Sequence, residues 1–70
     1  MLRQVVESTN LRSVGYDKVT HTLEVEFTSG GVYRYANVPD SVWFELRHAP
    51  SKGKFFLDRV RDQFTAERID

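Results

Sequence analysis

The sequence predicts an α+β domain: a three-stranded antiparallel β-meander, with room for a fourth strand, and two C-terminal helices packed on one face of it. Three observations predict this. Apolar residues alternate with period two through the first half of the chain. They recur with helical spacing through the second half. Turn residues and prolines punctuate the boundaries between these segments.

The strands come first. Val14 and Tyr16 flank Gly15, and Leu23, Val25 and Phe27 interleave with Thr22, Glu24 and Glu26. Tyr33 and Tyr35 interleave with Val32, Arg34 and Ala36. Side chains alternate across a strand, so each segment has one apolar face. The stretches "DKVTH" and "SGG" separate the segments, and Val5 with Val6 supplies the optional fourth strand. Pro39 suits the first turn of a helix that carries Val42, Trp43, Leu46 and Ala49. Pro50 ends that helix, and Ser51 is the expected N-cap of the next. Phe56, Val60 and Phe64 form the apolar stripe of the second helix, widened by Leu57. Gly53 falls in the same arc, which predicts close approach to the sheet or to the first helix. Residues 65–70 are expected to fray, leaving a core at about 5–64.

Parity orients the tyrosines. Two short helices cover one sheet face, so Leu23, Val25 and Phe27 must face them. An unpaired buried guanidinium costs several kcal/mol, so Arg34 points outward, and its neighbours Tyr33 and Tyr35 turn inward. A three-residue loop Ser29–Gly30–Gly31 sets Phe27 opposite Tyr33, Val25 opposite Tyr35 and Glu26 opposite Arg34. A nucleobase platform needs aromatic rings on an uncovered sheet face, so this orientation argues against one here.

Seventy residues make one domain with a thin stability margin. Without cysteine there is neither a disulfide framework nor a thiolate metal site. His21 and His48 lack metal-ligand spacing, and no serine sits in a nucleophile elbow. No acidic pair suggests a catalytic dyad. The expectation is therefore a non-enzymatic domain without metal or cofactor. It lacks a signal peptide or apolar span, so it is expected in the cytoplasm.

Ten basic residues balance ten acidic ones, but unevenly along the chain. Between residues 47 and 61 stand Arg47, Lys52, Lys54, Arg59 and Arg61 against Asp58 alone. The stretch "PSKGKFF" fails the phosphate-loop pattern of nucleotide hydrolases. It does place Lys52 and Lys54 in the first turn of a helix, where free N–H groups favour anions. The candidate nucleic-acid site is therefore Lys52, Gly53 and Lys54, with Arg47, Arg59 and Arg61 nearby. The competing reading is two solvated helix faces. Phe44 and Phe55 lie off the apolar arcs and mark a partner surface if exposed together.

Five motifs stand in order: V-x-S-T-x-L-x-S-V-G-Y-D, L-x-V-x-F-x-x-G, Y-x-Y-x-x-V-P, V-W-x-x-L-x-x-A and S-x-G-x-F-F-x-x-x-V. On these motifs, which run from Val6 to Val60, the chain resembles the KTSC domain, a resemblance that covers about residues 5–64. That family is named for the C-terminal domain of some lysyl-tRNA synthetases and includes free-standing bacterial and phage proteins. Leu57 stands where the family often carries a polar residue, and Val60 where isoleucine is common. The resemblance implies a domain of unknown specific role, with RNA binding suggested by its attachment to a tRNA synthetase. It carries over Tyr33, Tyr35, Ser51 and Gly53, which the residue-level reading makes structural. Two functions follow as expectations: a small RNA- or nucleic-acid-binding module, or a protein-interaction or self-associating module without such a ligand.

Overall fold

The computed structural model describes residues 1–70 as a five-stranded antiparallel sheet with two helices. The strands β1 (Gln4–Val5), β2 (Leu11–Asp17), β3 (Thr22–Phe27), β4 (Val32–Tyr35) and β5 (Ala66–Arg68) lie side by side in chain order. Helices α1 (Asp40–His48) and α2 (Lys52–Arg59) are inserted between β4 and β5. The meander and both helices match the sequence reading, and the fifth strand corrects it. Residues 65–70 do not fray. Ala36 N–H donates to the Thr65 carbonyl (2.9 Å), and Ile69 N–H donates to the Val32 carbonyl (2.8 Å). Their polar sequence carries no apolar stripe; β4 supplies the backbone partners that order them. The fourth strand forms at Gln4–Val5 rather than Val5–Val6, and Val6 turns toward the core instead.

The inward rows hold the core. Leu11, Val14, Leu23, Val25 and Tyr35 pack against Val38, Val42, Trp43, Leu46, Phe56 and Val60. Phe56 is the largest side chain that is fully buried, and it meets Phe27 and Tyr35 edge-on, with ring centroids 5.4 Å away in both cases. Edge-to-face pairs of this kind add roughly 0.5–1.5 kcal/mol beyond area burial. Helix α2 ends at Arg59, shorter than the stripe through Phe64 predicts. Its N-cap behaves as expected, with Ser51 Oγ accepting from the Lys54 N–H (3.3 Å). Pro39 lies just outside α1 as its N-cap, and its carbonyl accepts from the Val42 and Trp43 N–H groups.

Arg34 points outward and Tyr35 is buried, as parity requires, while Tyr33 is half-buried at the margin. The register differs from expectation by two residues. Phe27 N–H donates to the Gly31 carbonyl (3.1 Å), and Gly30 N–H donates to the Phe27 carbonyl (3.0 Å). The loop is thus Thr28–Ser29–Gly30, one residue earlier than predicted. Val25 faces Tyr33, Leu23 faces Tyr35 and Glu24, not Glu26, faces Arg34. A two-residue slip preserves the period of the strand, so every side chain keeps its face. Glu24 Oε1 accepts from Arg34 Nε at 3.0 Å, while Arg3 approaches its other oxygen at 3.4 Å. The N-terminal segment lies over Gly15 on this outer face: a Cβ there would sit 2.7 Å from the Leu2 carbonyl oxygen.

Helix α1 is locked to β2 by Tyr16. Its ring stacks on Trp43, with centroids 5.4 Å apart and planes 13° from parallel. Its hydroxyl is shared between Asp40 Oδ1 (2.9 Å) and the Val38 carbonyl oxygen. Burial, then the Asp40 carboxylate, pushes the Tyr16 pKa up to about 12. Burial also raises Tyr35, with Tyr33 adding to the effect. A phenol raised in the folded state stabilises the fold below its unfolded pKa of about 10. That contribution is lost as pH rises from there through about 12. Tyr16→Phe is expected to cost about 1 kcal/mol at neutral pH, the net worth of one hydrogen bond. Urea unfolding across the alkaline range checks this: the wild type should lose stability more steeply than the variant, and parallel curves would refute the assignment.

Candidate nucleic-acid interface

The start of α2 faces the loop between β1 and β2. That loop is built on Ser8, whose hydroxyl accepts from the Asn10 and Leu11 N–H groups (3.3 Å each) and donates to Asn10 Oδ1 (2.8 Å). Serine and asparagine form such local turns because their side chains replace missing backbone partners. The loop is also tied to the β3–β4 hairpin. Thr28 N–H donates to the Asn10 carbonyl (3.0 Å), and Thr28 Oγ1 donates to the Thr9 carbonyl (3.1 Å).

Gly53 is buried against this loop. A Cβ at Gly53 would collide with Asn10 Oδ1 and lie 2.8 Å from Ser8 Oγ. The close approach expected from the sequence is therefore real, but its partner is the loop before β2, not the sheet body or α1. The S-T-N and S-K-G-K segments, more than forty positions apart in the chain, together line an open cleft of about 550 Å³. Ser8, Asn10, Ser51, Lys52 and Lys54 contribute its polar wall, and the carboxylate-bearing Glu7 lines it as well.

The five predicted cations do not all converge, although Lys54 and Arg59 share a separate opening of about 420 Å³ that Asp58 also lines. Lys52 and Lys54 border the cleft beside Ser8 and Asn10. Lys52 Nζ donates to the Ala49 carbonyl (3.2 Å) at the end of α1. Its charge thus sits at the negative pole of α1, which offsets its unfavourable place at the positive pole of α2. Lys54 is exposed and has no partner in the chain. Arg59 lies over the Phe55 ring (5.4 Å) and 3.5 Å from Glu45 Oε2. Arg47 lies over Trp43 (5.5 Å). Arg61 pairs with Asp62 (3.3 Å) and borders a different groove. The N–H groups of Lys52 and Gly53 donate to no atom of the chain, and no acidic residue occupies the first turn.

The condition for an aromatic partner surface is not met. Phe44 is 60% exposed and stacks on His48 (4.2 Å), but Phe55 is half-buried against the core. His48 Nδ1 lies 2.8 Å from the Phe44 carbonyl oxygen, a local contact at a helix end. No cluster of metal-ligating side chains is present, and no helix is long and apolar enough to cross a membrane.

Two parts of this region are not foreseen by the sequence reading. Ser8 enters there only within a family motif and Asn10 not at all, because nothing local shows which helix docks on their loop. Arg68 stands in the segment expected to fray, yet it borders the Arg61 groove.

The family model described as "KTSC domain" matches residues 7–64 of the chain. An uncharacterized protein of Stutzerimonas stutzeri is 48% identical over the full length of both chains. A lysine–tRNA ligase of Nostoc sp. is 40% identical over 63 residues, which are 90% of this chain. The matched region spans only 11% of that ligase. A crystal structure of a KTSC domain protein from Yersinia pestis superposes with a TM-score of 0.96 at 35% identity, covering 99% of this chain and 97% of the other.

Proposed function

This chain belongs to the KTSC domain family, and we propose that it is a small RNA-binding module whose phosphate contacts are made at the start of α2. The observation that carries the reading is the unpartnered set there: the N–H groups of Lys52 and Gly53, and the ammonium of Lys54. Oriented N–H groups and the helix dipole favour an anion at this point, and lysine adds a compact charge. The cleft is open, so it suits a backbone that passes along it. Lysine–tRNA ligases, which by name act on tRNA, carry a related stretch; that context supports RNA over other polyanions.

One observation favours the rival reading of a protein-interaction or self-associating module, namely the exposed Phe44. The sheet edges speak less for it. β1 and β5 are two and three residues long, and short edges resist strand addition.

Fluorescence anisotropy with a labelled single-stranded RNA at two salt concentrations tests the proposal. Affinity should fall with salt, with a slope that Lys52→Gln/Lys54→Gln reduces by about 0.7 for each phosphate no longer neutralised. Lys54→Gln alone should account for the larger share, because Lys52 stays engaged with Ala49. Lys54→Gln removes an unpartnered cation from the positive pole of α2, so its stability should hold or rise, whereas Lys52→Gln also loses the Ala49 contact and needs its urea midpoint checked. Weakened binding by Lys54→Gln then cannot be blamed on unfolding. Unchanged affinity and slope would eliminate the site. Absent RNA binding together with a dimeric mass in light scattering would favour the rival.

A further inference from the structure

A second opening lies between the tip of the β3–β4 hairpin and α2, with a volume of about 470 Å³. That falls within the range of about 300–1,000 Å³ typical of small-ligand sites. Its accessible walls are the half-buried rings of Phe27 and Tyr33, with the buried Phe56 behind them, and Arg61 and Arg68 supply its charge. No carboxylate lines it. The rings form a continuous set, with Phe27 edge-on to Tyr33 (5.6 Å) and to Phe56 (5.4 Å). Gly30 lines it at the hairpin, and nothing lies within 4 Å of where a side chain there would begin.

The two guanidiniums reach the groove from different elements. Arg68 comes from β5, lies over the Tyr33 ring at 5.9 Å, and donates through Nε to the Asp70 main-chain oxygen (2.7 Å). Its terminal nitrogens have no partner in the chain. Arg61 comes from the turn after α2, and its pairing with neighbouring Asp62 is exposed. An exposed pair of that kind is worth about 0–1 kcal/mol and is readily exchanged for a stronger acceptor.

We propose that this groove takes one nucleotide, base and phosphate together, and that it extends the RNA surface described above, on which reading it rests. A planar guanidinium presents two parallel donors to a phosphate, and aromatic walls accept the face of any base. Leu57, which is exposed, borders both this groove and the Lys52–Lys54 cleft. The two openings are therefore contiguous, and one strand crossing Leu57 reaches both. The platform is not the open sheet face that parity argues against. It is the margin where the inward rings of β3 and β4 emerge beside α2.

Amide-resolved NMR titration of the isotope-labelled chain tests this with three probes: adenosine monophosphate, ribose phosphate and a short single-stranded oligouridylate. The monophosphate is expected to shift the amides of Gly30, Tyr33 and Arg61, and ribose phosphate to shift them much less. Arg61→Gln/Arg68→Gln should weaken that response about five- to tenfold, the loss expected for a charge-assisted contact. Lys18→Gln, in the exposed turn between β2 and β3, should leave it intact. Should Arg68→Gln disturb β5, Arg61→Gln alone carries the comparison, with Arg61→Lys restoring charge but not the planar fork. Groove amides moved only by the oligonucleotide would assign the nucleotide to RNA; movement by both probes shows that a free nucleotide suffices, and both results support the groove. Shifts confined to Gly53 and Lys54 would overturn the groove while leaving the RNA reading standing. Silence of both regions with the oligonucleotide would overturn both.

Discussion

Replacing Phe56 with alanine is expected to destabilise the domain by about 3–5 kcal/mol, the usual range for a large aromatic removed from a core. The ring is 1% exposed and touches Phe27 and Tyr35, so it joins α2 to both β3 and β4. A chain of this length holds only about 4–10 kcal/mol in total, at roughly 0.05–0.15 kcal/mol per residue. The loss would therefore consume much of the margin. Urea unfolding measures it as a lowered midpoint with an unchanged slope. Phe56→Leu keeps most of the volume and should cost less than about 1.5 kcal/mol. An alanine variant within about 1 kcal/mol of the wild type would mean that the helix layer is not anchored through this ring.

The second large effect is expected at Gly53, where two physical terms oppose each other. Alanine is the better helix former by up to about 1 kcal/mol. Its Cβ, however, would occupy the place of Asn10 Oδ1, with Ser8 Oγ at 2.8 Å. Those oxygens are the ends of short side chains pinned by hydrogen bonds to each other and to the Asn10 and Leu11 N–H groups. Moving them breaks the turn, so the steric term wins, and Gly53→Ala should cost about 1–3 kcal/mol net. Truncating the obstacle should relieve it. In the double variant Asn10→Ala/Gly53→Ala the penalties should fall short of additivity by about 0.5–3 kcal/mol. Strict additivity would show that the loop and the helix start do not press on each other. The cycle also bears on function, because the same contact sets the width of the Lys52–Lys54 cleft.

Several features were legible residue by residue. Arg34 between two tyrosines decided which face of β4 meets the helices, and Ser51 after Pro50 announced the cap of α2. Both are local: one depends on the period of a strand, the other on a turn of backbone. The register was less secure. Both hairpin loops compatible with the parity of Arg34 contain three residues, and they differ only in whether Thr28 or Gly31 belongs to the loop. The chain pairs Phe27 with Gly31, so Glu24 rather than Glu26 receives Arg34. Residues 65–70 carried no signal at all. "TAERID" has no apolar periodicity, and its order comes from unpaired edge groups of β4 that are far away in sequence.

The candidate site divides the same way. That Lys52 and Lys54 begin a helix, and that Gly53 needs room, follows from the residues themselves, because caps and arcs are set within a few positions. That the room is filled by Ser8 and Asn10, that Lys52 reaches back to α1, and that Arg61 meets Arg68 across an aromatic groove were decided by packing alone. The physical reason is range. Propensity, parity and capping act over one turn or one strand pair, whereas a groove exists only where distant segments are brought together by a shared core.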